Sequence, residues 1–198
     1  MIAVSDVGSA LRVCAAAPTS STLSAPEFRY HAFISYSHAD EREAARLQAF
    51  LESYPIPHDL RRAGAGAAEH PARLVPIFRD RTELPTSSDL GGVINEALRA
   101  SRSLVVLCSP ASAASRWVNE EIAQFKRLGR AADIHGLIVS DAPGAAASGK
   151  DDVSAFFPPE MALDGSLAAR HIEPAAADAR AGKDGADAYL KLLAGLLG

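Results

Sequence analysis

The run Ser103-Leu104-Val105-Val106-Leu107-Cys108 narrows the choice of fold more than any other part of the chain. It lacks the polar alternation of a half-exposed strand, so a strand built from it must bury both faces. Strands of that kind lie in the middle of parallel sheets covered by helices on either side. Shorter β-prone runs recur at Ala32-Phe33-Ile34-Ser35, at Leu74-Val75-Pro76-Ile77-Phe78 and from Ile134 to Val139. The proline in the second of these points to a sheet edge or a strand start. Amphipathic stretches separate the runs. Ser37-His38-Ala39-Asp40 supplies helix-start residues, Ala44, Leu47, Phe50 and Leu51 then share one face, and Pro55 and Pro57 close that helix. Leu90, Val93, Ile94, Ala97 and Leu98 form a second stripe, which Ser88 or Asp89 can cap. A third helix is expected from Arg116 to about Leu128 and a last one from Tyr189 to Leu197, with His171-Ile172 as a weak edge strand. Asp141 to Ser166, rich in Ala, Gly, Pro and Asp, reads as loop with room for one short helix. Strands alternating with helices predict βαβ crossovers, hence a flavodoxin-like doubly wound parallel sheet with helices on both faces.

The length of 198 residues suits one domain, expected over residues 28–198 behind a flexible leader of residues 1–27. That leader has no basic start, and Asp6 and Arg12 interrupt it, so it does not read as a signal peptide. No apolar run has the length to span a bilayer. The formal net charge of −4 gives no electrostatic reason to expect nucleic acid or an anionic membrane as partner. The two cysteines, Cys14 and Cys108, lie in unlike surroundings, and such low usage fits a reducing compartment. A cytoplasmic protein is the expectation.

In an open parallel sheet, ligands collect at the carboxyl ends of the strands. That rim would gather Ser37-Asp40, the polar stretch Arg79-Asp89 and Ser109-Trp117. These same segments carry a family resemblance. Phe33-Ile34-Ser35-Tyr36-Ser37-His38 resembles the first conserved box of Toll/interleukin-1 receptor (TIR) domains. Phe78-Arg79-Asp80, leading into Glu83-Leu84-Pro85, is similar to their long loop after the second strand. Ser109-Pro110, followed by Ser115-Arg116-Trp117-Val118-Asn119-Glu120-Glu121-Ile122, resembles the third-strand exit and catalytic helix of the NAD+-cleaving bacterial members. The resemblance runs from about Phe28 to Gly198, with the leader and the insertion-like stretch Asp141 to Ser166 as departures.

The resemblance implies a TIR fold and an NAD+ nucleosidase that releases nicotinamide and forms ADP-ribose or a cyclic isomer, in bacterial defence against phage or in stress signalling. NAD+ is then the substrate, and no cofactor or metal is called for. It implies Glu121 as the catalytic carboxylate and Trp117 as a surface near the nicotinamide. Tyr36, Ser37, Phe78, Arg79, Asp80 and Ser109 become candidates for shaping the NAD+ pocket. Arg81, Glu83, Leu84 and Pro85 belong to a loop through which related domains self-associate, so other TIR domains are expected partners. Bacterial members commonly carry a sensor or repeat module after this domain, which leaves room for such a module in a longer chain.

The chemistry agrees with a single carboxylate. Breaking the bond between nicotinamide and ribose builds positive charge on the sugar, which a carboxylate stabilises. Nicotinamide departs as a neutral ring, so no general acid is required. Trp117 and Glu121 are four residues apart and stand one helical turn from each other. The adjoining stripe of Val118, Ile122 and Phe125 would anchor the helix to the sheet and set Glu121 at the border of core and rim. Glu120, off that spacing, is the surface residue of the pair.

Each of these residues also has a plainer reading. On the helix alone, Trp117 beside a core stripe is packing. Tyr36 and Phe78 can be strand-end packing, Ser109 a helix cap before Pro110, and Arg79, Asp80 and Arg81 a solvated ion-pair cluster. Other chemistries lack their motifs. There is no Gly-rich phosphate loop, the histidines show no metal-ligand spacing, and no nucleophile elbow surrounds Ser109, Ser112 or Ser115. A phosphoacceptor receiver would need acidic residues where Ser35-Tyr36-Ser37 stands. The alternative from another class is a non-catalytic TIR scaffold acting by TIR-TIR interaction, which shares the fold and differs at the glutamate.

Overall fold

A computed structural model describes residues 28–61, 70–79, 90–139, 153–161, 176–180 and 185–198. Its strands are β1 (Tyr30–Ser35), β2 (Ile77–Arg79), β3 (Ser101–Cys108), β4 (Ile134–Ile138) and β5 (Ala176–Asp178). They form one sheet in the order β2-β1-β3-β4-β5, and every neighbouring pair is parallel. This is the flavodoxin-like order, with its reversal between β1 and β3. The helices are α1 (Glu41–Ser53), α2 (His58–Arg61), α3 (Leu90–Arg99), α4 (Pro110–Ala113), α5 (Arg116–Arg127) and α6 (Gly185–Leu197).

The continuous apolar run of β3 is explained by cores on both sides of the sheet. Val105 and Leu107 join Ala32, Ile34 and Ile77 under α1 and α6, against Leu47, Leu51, Leu192 and Leu193. Leu104, Val106 and Cys108 join Phe33 and Phe78 on the opposite face, against Leu98 of α3 and Val118, Ile122 and Phe125 of α5. Each buried apolar side chain of this size removes enough surface from water to contribute roughly 1.5–3 kcal/mol, which fixes α5 firmly to the sheet. Phe156, Phe157 and Met161, from within the insertion-like stretch, complete that second core.

The second strand is shorter than the apolar run Leu74-Phe78 predicts, because it begins after Pro76 and extends through Arg79. It lies at the sheet edge, and α1 covers that edge. Glu52 Oε1 accepts from the Ile77 backbone N–H at 3.0 Å, and Gln48 Nε2 donates to the Ile77 carbonyl at 3.2 Å. Two side chains thus stand where a further strand would bond, and they leave no open ladder at Ile77. Helix α5 ends where Gly129 takes φ 77°, a left-handed conformation that glycine adopts without a side-chain penalty.

The fifth strand is Ala176–Asp178, whereas His171-Ile172 lies outside the described residues. So do the leader, the expected cap at Ser88 or Asp89, and most of the stretch from Asp141 to Ser166. Within that stretch the described part holds two short 3-10 turns, Val153–Phe156 and Pro159–Met161. Among the described residues no helix is long and apolar enough to cross a membrane.

Candidate functional site

The chain leaves β1 and β3 toward opposite sides of the sheet, so a crevice opens between their carboxyl ends. Polar side chains meet there. From the β1 side, Ser37 leads into a 3-10 turn, His38–Asp40, that precedes α1. Asp40 occupies the cap position of α1 yet makes no side-chain bond to that helix. Its Oδ2 accepts instead from Ser109 Oγ at 2.6 Å and Ser112 Oγ at 3.1 Å, across the crevice. The Ser112 N–H donates to Ser109 Oγ at 3.0 Å, and the Ser37 N–H donates to Ser112 Oγ at 3.2 Å. This buried belt joins the two strand exits, and its hydroxyls satisfy a carboxylate that burial would otherwise penalise. The helix-start role expected of Asp40 therefore gives way to a tertiary one.

Helix α5 carries the central carboxylate. Ser115 caps it by accepting from the Val118 N–H at 3.4 Å, and Lys126 and Arg127 stand in its last turn, where the helix dipole favours cations. Asn119 ties its first turn down on two sides. Its Nδ2 donates to the carbonyls of Ala113 (3.2 Å) and Ser115 (2.8 Å), and its Oδ1 accepts from the Glu160 N–H at 3.1 Å. Val118, Ile122 and Phe125 hold the inner face against the sheet. Glu121 is borne on this anchored frame and is only 5% exposed. Ser35 Oγ, at the end of β1, donates to Glu121 Oε2 at 2.5 Å. That length lies at the short end of the range for a hydroxyl bound to a carboxylate.

The residues singled out in the sequence divide between the two faces. Glu121 and Phe78 lie on the α3/α5 side, but Phe78 is packed into the core, stacked on Phe33 with centroids 5.1 Å apart and edge-on to Tyr30. Tyr36 is buried on the α1/α6 side. Arg79 is buried too, and its Nε donates to Gln48 Oε1 at 2.9 Å, so it does not join a solvated ion-pair cluster. Ser37 and Ser109 are in the belt, and Ser109 is also the cap of α4, as its position before Pro110 predicts. Asp80, Arg81, Glu83, Leu84 and Pro85 lie outside the described residues.

Trp117 is 63% exposed, which overturns its reading as a packed core aromatic. It presents a large apolar surface one turn before Glu121. Glu120 is exposed as the spacing predicts and pairs with Arg127 at 3.1 Å. Ser35, Asp40 and Ser112 were not among the sequence candidates. A serine ending an otherwise apolar strand, with its neighbours Ile34 and Tyr36 facing the other core, was the available sign for Ser35.

Cys108, at the end of β3, is a poor nucleophile. Burial pushes its thiol up to about 12, and its Sγ lies 3.6 Å from Met161 Sδ in the core. Among the described residues no group of three or more His, Cys, Asp or Glu side chains could hold a metal ion. The chemistry on offer at the crevice is thus a buried carboxylate with a hydroxyl fixed on it, beside an exposed indole.

Residues 33–145 match the family described as the TIR-like domain of the Thoeris protein ThsB. Over 95 residues the chain is 41% identical to a protein of Actinoplanes sp. named NAD(+) hydrolase ApTIR. The match takes in 48% of this chain and 12% of that much longer relative. Among solved structures, the TIR domains of the activated Roq1 resistosome, which directly recognises the pathogen effector XopQ, are similar at 17% identity and a TM-score of 0.41. That alignment covers 85% of this chain and 83% of the other, a likeness too loose to bear on the fold, which the strand order defines by itself.

Proposed function

Since the chain belongs to the family of TIR-like domains of the Thoeris protein ThsB, we propose that it is an NAD+ glycohydrolase with Glu121 as its catalytic carboxylate. The observation that carries this reading is the burial of Glu121 at the crevice between β1 and β3, with a hydroxyl held on it at 2.5 Å. A carboxylate buried against a sheet is costly unless hydrogen bonds or charges satisfy it. Its retention there fits a site where positive charge develops during a reaction. The relative named as an NAD(+) hydrolase supports the substrate.

In this mechanism the bond from ribose C1′ to the pyridinium nitrogen breaks, and its electron pair returns to the nitrogen. Nicotinamide leaves neutral. The positive charge left on the ribose faces Glu121, whose field is strengthened by its low-dielectric surroundings. Water then adds at C1′ and releases a proton to give ADP-ribose, or an internal nucleophile closes the ring to a cyclic isomer. Trp117 offers an apolar face for the nicotinamide at the mouth. Ser37 and Ser109, which keep the two strand exits together, define the crevice edge; Tyr36, Phe78 and Arg79 support it from within the fold, and the family resemblance adds Asp80 as a pocket residue. Nicotinamide release in bacterial defence signalling is the role we assign.

Incubation with NAD+ and quantification of free nicotinamide tests the reading, with the nucleotide products separated in the same assay. Glu121→Gln is expected to abolish release while the thermal midpoint stays close to that of the parent. Glu120→Ala, on the solvent side of α5, is expected to keep full activity. A folded Glu121→Gln variant that cleaves NAD+ at the parent rate would remove this carboxylate from the mechanism and favour a TIR scaffold without catalysis.

A further inference from the structure

Ser35 is wholly buried within the central part of the sheet. It pairs with Val106 in the β1/β3 register, so its backbone is held by one of the most embedded neighbours in the fold. Its side chain points to the α5 face, as does that of Phe33 two residues earlier, whereas Ile34 and Tyr36 point the other way. A hydroxyl has one proton to donate, and Ser35 donates it to Glu121 Oε2. That proton is therefore not offered to a substrate, and among the described residues the base bonded to the hydroxyl is the Glu121 carboxylate.

The glutamate itself supplies the reason such a partner matters. Val118, Ile122 and Phe125 fix the helix on which Glu121 is carried, but they fix its backbone only. A glutamate side chain still has three rotatable bonds between that backbone and its carboxylate. A donor mounted on a rigid strand, 86 residues away in sequence, restrains the far end. It also stabilises the charged form of the carboxylate relative to the neutral form.

We propose that Ser35 is a positioning residue for the NAD+-cleaving reaction: its hydroxyl orients the Glu121 carboxylate toward the ribose and keeps it ionised. This rests on the reading of Glu121 given above. Its consequence is specific, because loss of the hydroxyl must change both the rate and the pH at which the site fails. Removing a donor from an ionised carboxylate makes the acid easier to protonate. The acid limb of the kcat profile then moves to higher pH.

The test uses the full 198-residue chain with NAD+ at a protein concentration where the parent is active. Ser35→Ala, Ser35→Thr, Ser35→Cys and Glu121→Gln are compared for kcat, KM, pH profile and thermal midpoint. Ser35→Ala is expected to lower kcat by roughly ten- to a hundredfold, the scale of a misplaced reacting group, with KM nearly unchanged. Its acid limb is expected to move to higher pH. Ser35→Thr restores a hydroxyl and should recover most of the rate and the original limb. Ser35→Cys, close in shape with a weak donor, should fall between them, and it carries the same test if the alanine variant does not fold. Folded Ser35→Ala and Ser35→Cys variants with parental kcat and acid limb overturn the proposal, provided Glu121→Gln is inactive. Activity in Glu121→Gln marks the other failure, that of the catalytic assignment itself.

Discussion

At the scale of single residues, exposure separates side chains that look alike in sequence. Glu120 and Glu121 are adjacent, yet one pairs with Arg127 in solvent and the other is buried against Ser35. The helical period decides which is which, because Glu121 flanks the stripe of Val118, Ile122 and Phe125. Trp117 is the opposite case. Its neighbours argue for packing, but it lies on the outward side of the first turn of α5 and is 63% exposed. Replacement by alanine leaves no buried cavity, so Trp117→Ala is expected to change unfolding free energy by less than about 0.5 kcal/mol while reducing nicotinamide release. Denaturant unfolding alongside the NAD+ assay checks both. A large loss of stability would mean that the indole supports the fold after all.

At the scale of elements, the edge strand β2 owes its place to α1 as much as to β1. Only a short segment pairs with β1, and Pro76, before it, has no N–H to contribute. Glu52 and Gln48 bond the outward backbone groups of Ile77, and Gln48 also accepts from Arg79. Glu52→Ala removes the acceptor for a backbone N–H at a buried position. It is expected to lower stability by roughly 1–2 kcal/mol in urea unfolding, whereas Glu52→Gln keeps an acceptor oxygen and should lose much less. Equal losses in the two variants would show that the carboxylate charge, not the hydrogen bond to Ile77, is what matters.

At the scale of the whole molecule, the crevice is built by one chain but stands at its surface, with Trp117 open to solvent. A second copy that covered it would exclude water and orient the ribose. The resemblance to domains that self-associate assigns this role to the loop containing Arg81, Glu83, Leu84 and Pro85, which lies outside the described residues. We therefore expect low specific activity in dilute solution and a rise with protein concentration or crowding, since the competent state is then more populated. Leu84→Asp is expected to suppress that rise without unfolding the domain. Specific activity that is flat over a wide concentration range, and indifferent to Leu84→Asp, would mean that a single chain holds the complete site.

What the sequence determined by itself was the part of the fold written in local periodicity. A strand apolar on both faces must be central, stripes at helical spacing must face a sheet, and their alternation leaves a parallel doubly wound order as the simplest solution. The W-x-x-x-E spacing of Trp117 and Glu121 was legible for the same reason, because a helix converts sequence intervals directly into directions. The tertiary structure alone decided the contacts between residues far apart in the chain. Ser35 meets Glu121 across 86 positions, and Asp40 meets Ser109 and Ser112 across 69 and 72. No local pattern encodes these pairs, since each depends on how β1 and β3 are brought side by side. The same pairing turned Asp40 from a helix cap into a bridge, and sent Tyr36 and Arg79 to the face opposite Glu121. Side chains on successive residues of a strand leave on opposite sides, so a candidate list read along the rim mixes two faces until the sheet's helices are seen in place.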